Sequence, residues 1–138
     1  MIKNLEKYFL PEQTFYLNSI SYKLLDIASG DKELNCIDNI NTEVNDLESV
    51  KIIFTRTLKF NPESLFELSV SFGAILKFEE DRKQEINWHE LNLAEEFRVN
   101  GAFVLQNLLN RTTLLIAEIT ASFGQSPIIL PPTLGLKE

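Results

Sequence analysis

Alternating apolar and polar residues dominate the first 78 positions of the chain and predict a β-sheet. Three segments carry this alternation, 34–44, 50–60 and 65–78, and the segment 15–28 is predicted to be a first strand because it mixes β-branched and aromatic residues. Successive side chains of a strand point to opposite faces, and the apolar residues of the last segment share one face: Phe66, Leu68, Val70 and Phe72. Polar turns at Asn45-Asp46 and at 61–64 join the second, third and fourth segments, so these strands are predicted to form an antiparallel meander.

Two charged residues and one glycine interrupt the predicted strands. Asp38 stands at an apolar position of the second strand, and Arg56 interrupts the apolar face of the third. Gly73 lies in the fourth strand, where a β-bulge would shift the register. The opposite face of the sheet would carry Ile37 and Ile53, which makes it a candidate for partial burial in an oligomer.

Beyond residue 85 the apolar residues recur at spacings of three and four, which is typical of amphipathic helices. A short helix is predicted at 88–97, and a long helix is predicted at 102–123. The residues of the short helix expected to face inward are Leu91, Ala94 and Phe97. Gly124 stands where a helix-ending residue with positive φ belongs.

The two ends of the chain are predicted to lie outside the sheet and the helices. Residues 1–14 form a lead-in whose helical spacing ends at Pro11, because proline disfavours helix at the preceding residue. Residues 125–138 form a proline-rich, extended tail. No linker or repeat indicates a second domain, so 1–138 is predicted to be one α+β domain. It has a four-stranded antiparallel sheet followed by a short and a long C-terminal helix.

The long helix carries more apolar surface than one sheet can cover. The residues expected to cover the sheet are Leu105, Leu109, Ile116 and Ile119. Apolar residues also lie on other faces of the helix, which favours a subunit interface over a larger core. The residues predicted to contact another subunit are Val104, Leu108, Arg111 and Leu115. The alternative for Arg111 is that it snorkels at the edge of the apolar stripe.

Charge and cysteine content narrow the class of partner. Thirteen basic and twenty acidic residues give a net charge of −7, which disfavours nucleic acid and anionic membranes. No stretch of the sequence is apolar enough for membrane insertion. Cys36 is the only cysteine, so an intrachain disulfide is excluded. Without a signal-peptide pattern, the protein is expected to be cytoplasmic.

Candidate catalytic residues are sparse, and we expect no enzyme activity. His89 is the sole histidine, and no nucleophile motif accompanies it. A metal site would need Cys36, His89 and two carboxylates without any metal-binding spacing. Glu79, Glu80 and Asp81 lie beside basic residues, which is typical of a solvated face. Neither a metal nor a cofactor is therefore predicted.

The segment NGAFVLQNLLNRTTLLIAEITASFGQSPIILPP (100–132) resembles the closing segment of the bacterial export chaperone SecB family. In that family a long helix leads into a Gly/Phe/Pro turn and an L-x-P stretch, and here the turn spans 122–127. The segment LFELSVSFGAILKF (65–78) is similar to the family's last strand. The resemblance implies a SecB-like sheet with two helices, assembled as a dimer of dimers. It also implies nucleotide-independent binding of unfolded or slowly folding polypeptides.

The expected function therefore lies in protein export or in service to one dedicated client, such as an antitoxin. An apolar groove for the client is predicted to be lined by Phe54, Phe72 and Phe123. The family's proline-rich crossover is reduced here to 28–33, which fits a shortened groove and a dedicated client. A SecA-type translocation motor is a further expected partner. The alternative is a structural or regulatory homo-oligomer that binds no client.

Overall fold

The computed structural model describes residues 1–124 and 126–135. Its strands and longer helices are β1 Phe9–Leu24, β2 Glu33–Asn45, β3 Ser49–Asn61, β4 Phe66–Phe78, α1 Leu93–Asn100 and α2 Ala102–Ala121. Short 3-10 helices occupy Leu5–Tyr8, Lys83–Glu85 and Trp88–Glu90. The fold is α+β, with a four-stranded antiparallel sheet and two C-terminal helices, as predicted. Parts of the predicted tail, Gln125 and 136–138, lie outside the described residues.

The strands are ordered β1-β4-β3-β2, so the meander of β2, β3 and β4 is confirmed and β1 joins it beside β4. The link from β1 to β2 must therefore cross the end of the sheet. Ser64 holds this crossover, because its buried hydroxyl accepts a 2.9 Å hydrogen bond from the Ala28 amide. Leu65 also donates its amide to Asp26 and accepts from Leu25. β1 and β2 are consequently the two edge strands.

The predicted lead-in is wrong for its second half, because the first strand begins at Phe9 rather than at residue 15. Pro11 is tolerated inside β1 because an edge strand leaves one side of its backbone without ladder bonds. The pairing of β1 with β4 is irregular between Phe9 and Gln13, around this proline. Burial of Leu5 and Tyr8 fixes the preceding turn against the core.

The helical region begins later than predicted. Trp88–Glu90 is a 3-10 turn, and α1 starts only after Asn92, whose side chain caps it by accepting from the Glu95 amide. Of the residues expected to face inward, Phe97 is fully buried, whereas Leu91 and Ala94 are half-buried at the edge of the core. The buried residues of α1 are Leu93, Glu96 and Phe97. Gly124 has the predicted positive φ, +83°, but α2 ends earlier than predicted, at Ala121 with Ser122 as its C-cap.

Two clusters of buried side chains join the helices to one face of the sheet. The larger cluster surrounds Trp88, with Phe9, Phe54, Phe78 and Phe97 among its members. The smaller cluster lies further along α2 and contains Leu58, Leu68, Val70 and Ile116. Within the described residues, no helix is both long and apolar enough to cross a membrane.

On the opposite face, Gly73 does not form the predicted bulge. Its pairing with Ile53 of β3 and with Tyr16 of β1 is regular, and the irregularity lies instead between Leu17 and Ser19. Gly73 is required for another reason, since an added Cβ would stand 2.2 Å from the Tyr16 ring carbon Cζ. The aromatic ring thus packs directly on the glycine backbone. The expected pair Ile37 and Ile53 is half-buried on this face.

Candidate binding surfaces

Four aromatic rings meet at the end of the sheet that lies near the crossover. The ring centroid of Tyr22 in β1 lies 5.3 Å from that of Phe123, which follows α2. The ring centroid of Phe66 in β4 lies 5.2 Å from that of Phe123. Phe60 of β3 contacts Phe66 edge-on at 5.4 Å. We call these four residues the aromatic end. Tyr22 and Phe123 remain 46% and 39% exposed, so the cluster is open to a partner.

A strip of exposed apolar side chains leads from the aromatic end along the edge strand β1. It consists of Leu17, Ile20, Tyr22 and Leu24, which are 46–76% exposed. Leu24 also lines an open pocket of about 380 Å³ together with Leu65 and three aromatic-end residues. Exposed apolar patches of this kind commonly mark interaction sites. We call Leu17, Ile20, Tyr22 and Leu24 the β1 strip. In the described part of the chain β1 pairs only with β4, so the N–H and C=O groups along its other edge are not paired with a strand. This open edge lies beside the β1 strip.

The three residues predicted to line one groove lie at different depths. Phe54 has no exposed surface and belongs to the larger core cluster, so its side chain is not available to a client. Phe72 is its cross-strand partner and is half-buried between the two clusters. Phe123 alone reaches the surface, where it belongs to the aromatic end. The structure therefore does not bring Phe54 and Phe123 together at one groove.

The four residues predicted to form a subunit interface differ in their burial. Val104 and Leu108 are fully buried within the chain's own core, which leaves no side-chain surface for a partner. The physical reason is that α1 and the first 3-10 helix deepen the core, so it covers a wider part of α2. Arg111 is exposed, and its guanidinium lies 4.6 Å from the Phe15 ring centroid of β1. Leu115 is half-buried beside the smaller cluster.

A buried ion pair lies between α2 and the edge strand β2. Asp38 and Arg56 are directly opposite each other on β2 and β3, and their side chains are 0% and 1% exposed. The carboxylate accepts two hydrogen bonds from the guanidinium, each 2.8 Å long. Bidentate pairing of this kind satisfies both charges in a site that water does not reach. Thr113 of α2 adds a hydroxyl 3.1 Å from Arg56 Nη1.

The same ion pair holds the segment that follows α2. Arg56 donates to the backbone carbonyls of Pro131 at 3.1 Å and Thr133 at 2.7 Å. The Asp38 carboxylate accepts from the Gly135 amide. Segment 128–135 thus runs back along the helix-covered face of the sheet, with its backbone directed at a charged pair.

Burial and charge act in opposite directions on the groups at this site. Burial by itself would lower the pKa of Arg56, but the hydrogen bonds and negative charge of Asp38 outweigh it and hold that pKa above its ordinary value. Burial raises the pKa of the neighbouring Cys36 thiol, and the Arg56 charge only partly opposes this. Arg56 is therefore permanently charged here, and Cys36 is a poor nucleophile at neutral pH.

Sequence reasoning noted Asp38 and Arg56 separately and missed that they form a pair. The signal was present, since both interrupt the inward apolar face of neighbouring strands. With the turn centred near Asp46, the hairpin register places position 38 opposite position 56. No sequence pattern predicts the contacts of segment 128–135 with this ion pair, because they depend on where α2 ends and in which direction the chain continues.

The residues considered for catalysis are not assembled into a site. His89 is exposed on the 3-10 turn Trp88–Glu90. Cys36 contacts Asp38, with Sγ 3.9 Å from a carboxylate oxygen, and both lie beside the tail. Across residues 1–124 and 126–135, no three histidine, cysteine or acidic side chains are placed to hold a metal ion.

Comparison with solved structures defines the class of fold. The chain is similar to a SecB-like chaperone, with a TM-score of 0.59 at 8% sequence identity, over 86% of this chain and 85% of that one. That neighbour is Rv1957 of Mycobacterium tuberculosis, in complex with a ChAD peptide from the HigA1 antitoxin. A Streptococcus agalactiae protein of unknown function matches with a TM-score of 0.40 at 11% identity, over 87% and 97% of the two chains. The chain therefore has a SecB-like fold.

Sequence comparisons add no family. No protein-family model matches the chain. No curated protein matches it either. The resemblance of segment 100–132 to the SecB export chaperones is thus supported at the level of the fold alone.

Proposed function

We propose that this protein is a SecB-like chaperone that binds unfolded or slowly folding polypeptides without nucleotide. The observation that carries the proposal is the β1 strip, which joins the aromatic end beside the outer edge of β1. Extended clients bind such surfaces by placing apolar side chains on the patch and pairing their backbone with the strand edge. The SecB-like fold supports this interpretation.

The client follows from the chemistry of this surface. Leu, Ile, Tyr and Phe side chains accept many apolar sequences, because burial of apolar area is non-directional. We propose either a role in protein export, with a SecA-type motor as a further partner, or service to a dedicated client such as an antitoxin. The Mycobacterium tuberculosis neighbour was solved with an antitoxin peptide, which supports a dedicated client. Either role is proposed for the cytoplasm.

We propose that the chain assembles as a homo-oligomer, as a dimer of dimers. Arg111 and Leu115 remain the candidates for subunit contact, because both reach the surface of α2. Leu114, between them on the neighbouring face, is 62% exposed and extends the same apolar area. The long helix thus offers an outer face for a second copy while its inner face covers the sheet.

A structural or regulatory homo-oligomer is the second candidate. It would use the β1 strip and the aromatic end only on itself, so that no apolar surface remained for a client. The exposed, 16-residue edge strand favours it, since two such strands can pair directly. In both candidates the protein acts by binding, and no catalytic step is proposed.

The test compares two substitutions of exposed apolar residues. Phe123→Ser removes a ring from the aromatic end, and Ile129→Ser removes a 74% exposed side chain elsewhere. We expect the unchanged protein to bind reduced, carboxymethylated α-lactalbumin, with or without ATP. Phe123→Ser should weaken binding about tenfold, which corresponds to about 1.4 kcal/mol. Ile129→Ser should bind as the unchanged protein does.

Two results would contradict the proposal. One is a folded protein that binds no tested polypeptide at any ratio. The other is an equal loss in both variants, which would mean that the aromatic end has no special part in binding. Circular dichroism and urea unfolding would establish that both variants keep the fold.

A further inference from the structure

The segment after α2 lies on the protein as an extended peptide ligand would. Ile128 and Leu130 pack on the smaller core cluster, and Leu134 packs on the larger one. Ile129 is exposed, and so are Pro131, Pro132 and Thr133 between the two docked leucines. The segment thus docks on the protein through three apolar side chains and presents the others to solvent.

The backbone of the same segment is held by side chains. Its contacts with the ion pair come from alternate residues, namely the carbonyls of Pro131 and Thr133 and the amide of Gly135. Thr120 of α2 anchors the beginning by accepting from the Ile128 amide at 2.8 Å. Backbone hydrogen bonds combined with pockets for alternate side chains are how proteins bind extended peptides without reading their full sequence.

The ion pair remains satisfied if the segment leaves. Both 2.8 Å hydrogen bonds between Arg56 and Asp38 are independent of the tail. The hydrogen bonds that would be lost are those from Arg56 to the Pro131 and Thr133 carbonyls and that from the Gly135 amide to Asp38, and these side-chain groups would then face water in an opened groove. Release of the tail therefore leaves no buried charge without a counter-charge, the situation that makes most broken ion pairs costly.

We infer that segment 128–135 occupies, in cis, a second binding groove for extended polypeptide, and that a client enters this groove by displacing the tail. This inference rests on the proposed function and names its regulation. The groove lies between α2 and β2, and the Arg56–Asp38 pair is its backbone-binding element. Its occupant is uncharged, and its docked apolar side chains lie near its two ends, at Ile128, Leu130 and Leu134. The residue of the occupant that lies against the Asp38 carboxylate is a small one, Gly135.

Gly135 provides the means of releasing the tail. A Cβ at this position would stand 3.0 Å from the Cys36 carbonyl oxygen and 3.1 Å from the Asp38 carboxylate, so a larger side chain crowds these atoms and weakens the contact of the tail with the ion pair. Gly135→Val is therefore expected to shift the full-length chain toward release of the tail. Ile129→Ser is the matched control, because that side chain lies in the same segment but points outward.

Two measurements follow the tail and the groove separately. The sole cysteine, Cys36, packs in the same cluster as Ile128 and Leu130, so its reaction with a thiol reagent reports release of the tail. A fluorescent synthetic peptide with the sequence of 126–135 reports access to the groove by its anisotropy. Reduced, carboxymethylated α-lactalbumin then serves as the competing client.

We expect Gly135→Val to react about tenfold faster at Cys36 and to bind the tail peptide about tenfold more tightly than either control, the unchanged chain or Ile129→Ser. The client should displace the peptide and bind Gly135→Val more tightly. Unchanged thiol reactivity or unchanged peptide affinity in Gly135→Val would overturn the inference. Displacement that never occurs, although the client binds elsewhere, would also overturn it. Peptide binding without any client binding would support the groove and contradict the proposed function.

Discussion

At the residue scale, two charged side chains at inward positions do more than fill space. Removing one partner of a buried pair leaves the other charge without compensation, which is strongly destabilising. Asp38 and Arg56 are each almost fully enclosed and also connect β2, β3, α2 and the tail. Loss of one partner should therefore lower the free energy of unfolding much more than loss of one partner of a surface ion pair.

The corresponding prediction concerns Arg56→Met, which keeps much of the side-chain volume but removes the charge. We expect its free energy of unfolding to fall by about 3–5 kcal/mol in urea denaturation. Glu80→Gln is the control, since Glu80 is 77% exposed and pairs with Lys83 at 2.9 Å. That change should cost at most about 1 kcal/mol. Similar losses in both variants would mean that the buried pair has no special structural role.

At the element scale, β1 is the strand on which the proposed binding of polypeptides depends. In the second half of β1, the side chains on the helix-covered face of the sheet remain exposed. The reason is that α2 packs there on β3 and β4 rather than on β1. Soluble proteins usually protect such an edge with charges, which the β1 strip lacks at Leu17 and Ile20. The absence of protection at this strand is what a surface for polypeptides or for a second copy requires.

Neighbouring residues of β1 allow a test with a matched control. Ile20 is 47% exposed on the helix side, and Ser21 is exposed on the opposite face of the same strand. Ile20→Lys should weaken client binding about tenfold by placing a charge on the apolar strip. Ser21→Lys adds the same charge to the other face and should have little effect. Equal losses, measured by anisotropy with a labelled client, would indicate a general charge effect.

The elements also show what a sequence can predict. Period-two alternation was sufficient to place β2, β3 and β4 and their meander, because each strand buries one face. The start of β1 at Phe9 was missed because Pro11 indicated a break, and only an edge position makes that proline acceptable. The depth of Val104 and Leu108 was missed because it depends on how α1 packs, which periodicity does not contain.

At the scale of the whole molecule, the SecB-like fold leaves apolar surface on one side and a tail-filled groove on the other. A net charge of −7 opposes nonspecific self-association of such a molecule. A second copy and an unfolded chain are the two partners that we propose for the exposed surface. Distinguishing them requires the assembly and the client to be measured together.

Size-exclusion chromatography coupled to light scattering, run with and without reduced, carboxymethylated α-lactalbumin, measures assembly and client binding in one experiment. We expect an assembly larger than the 15.8 kDa chain that co-elutes with the client. An assembly that excludes the client would favour the structural or regulatory oligomer. A monomer that passes the client without binding it would contradict both the proposed assembly and the chaperone function.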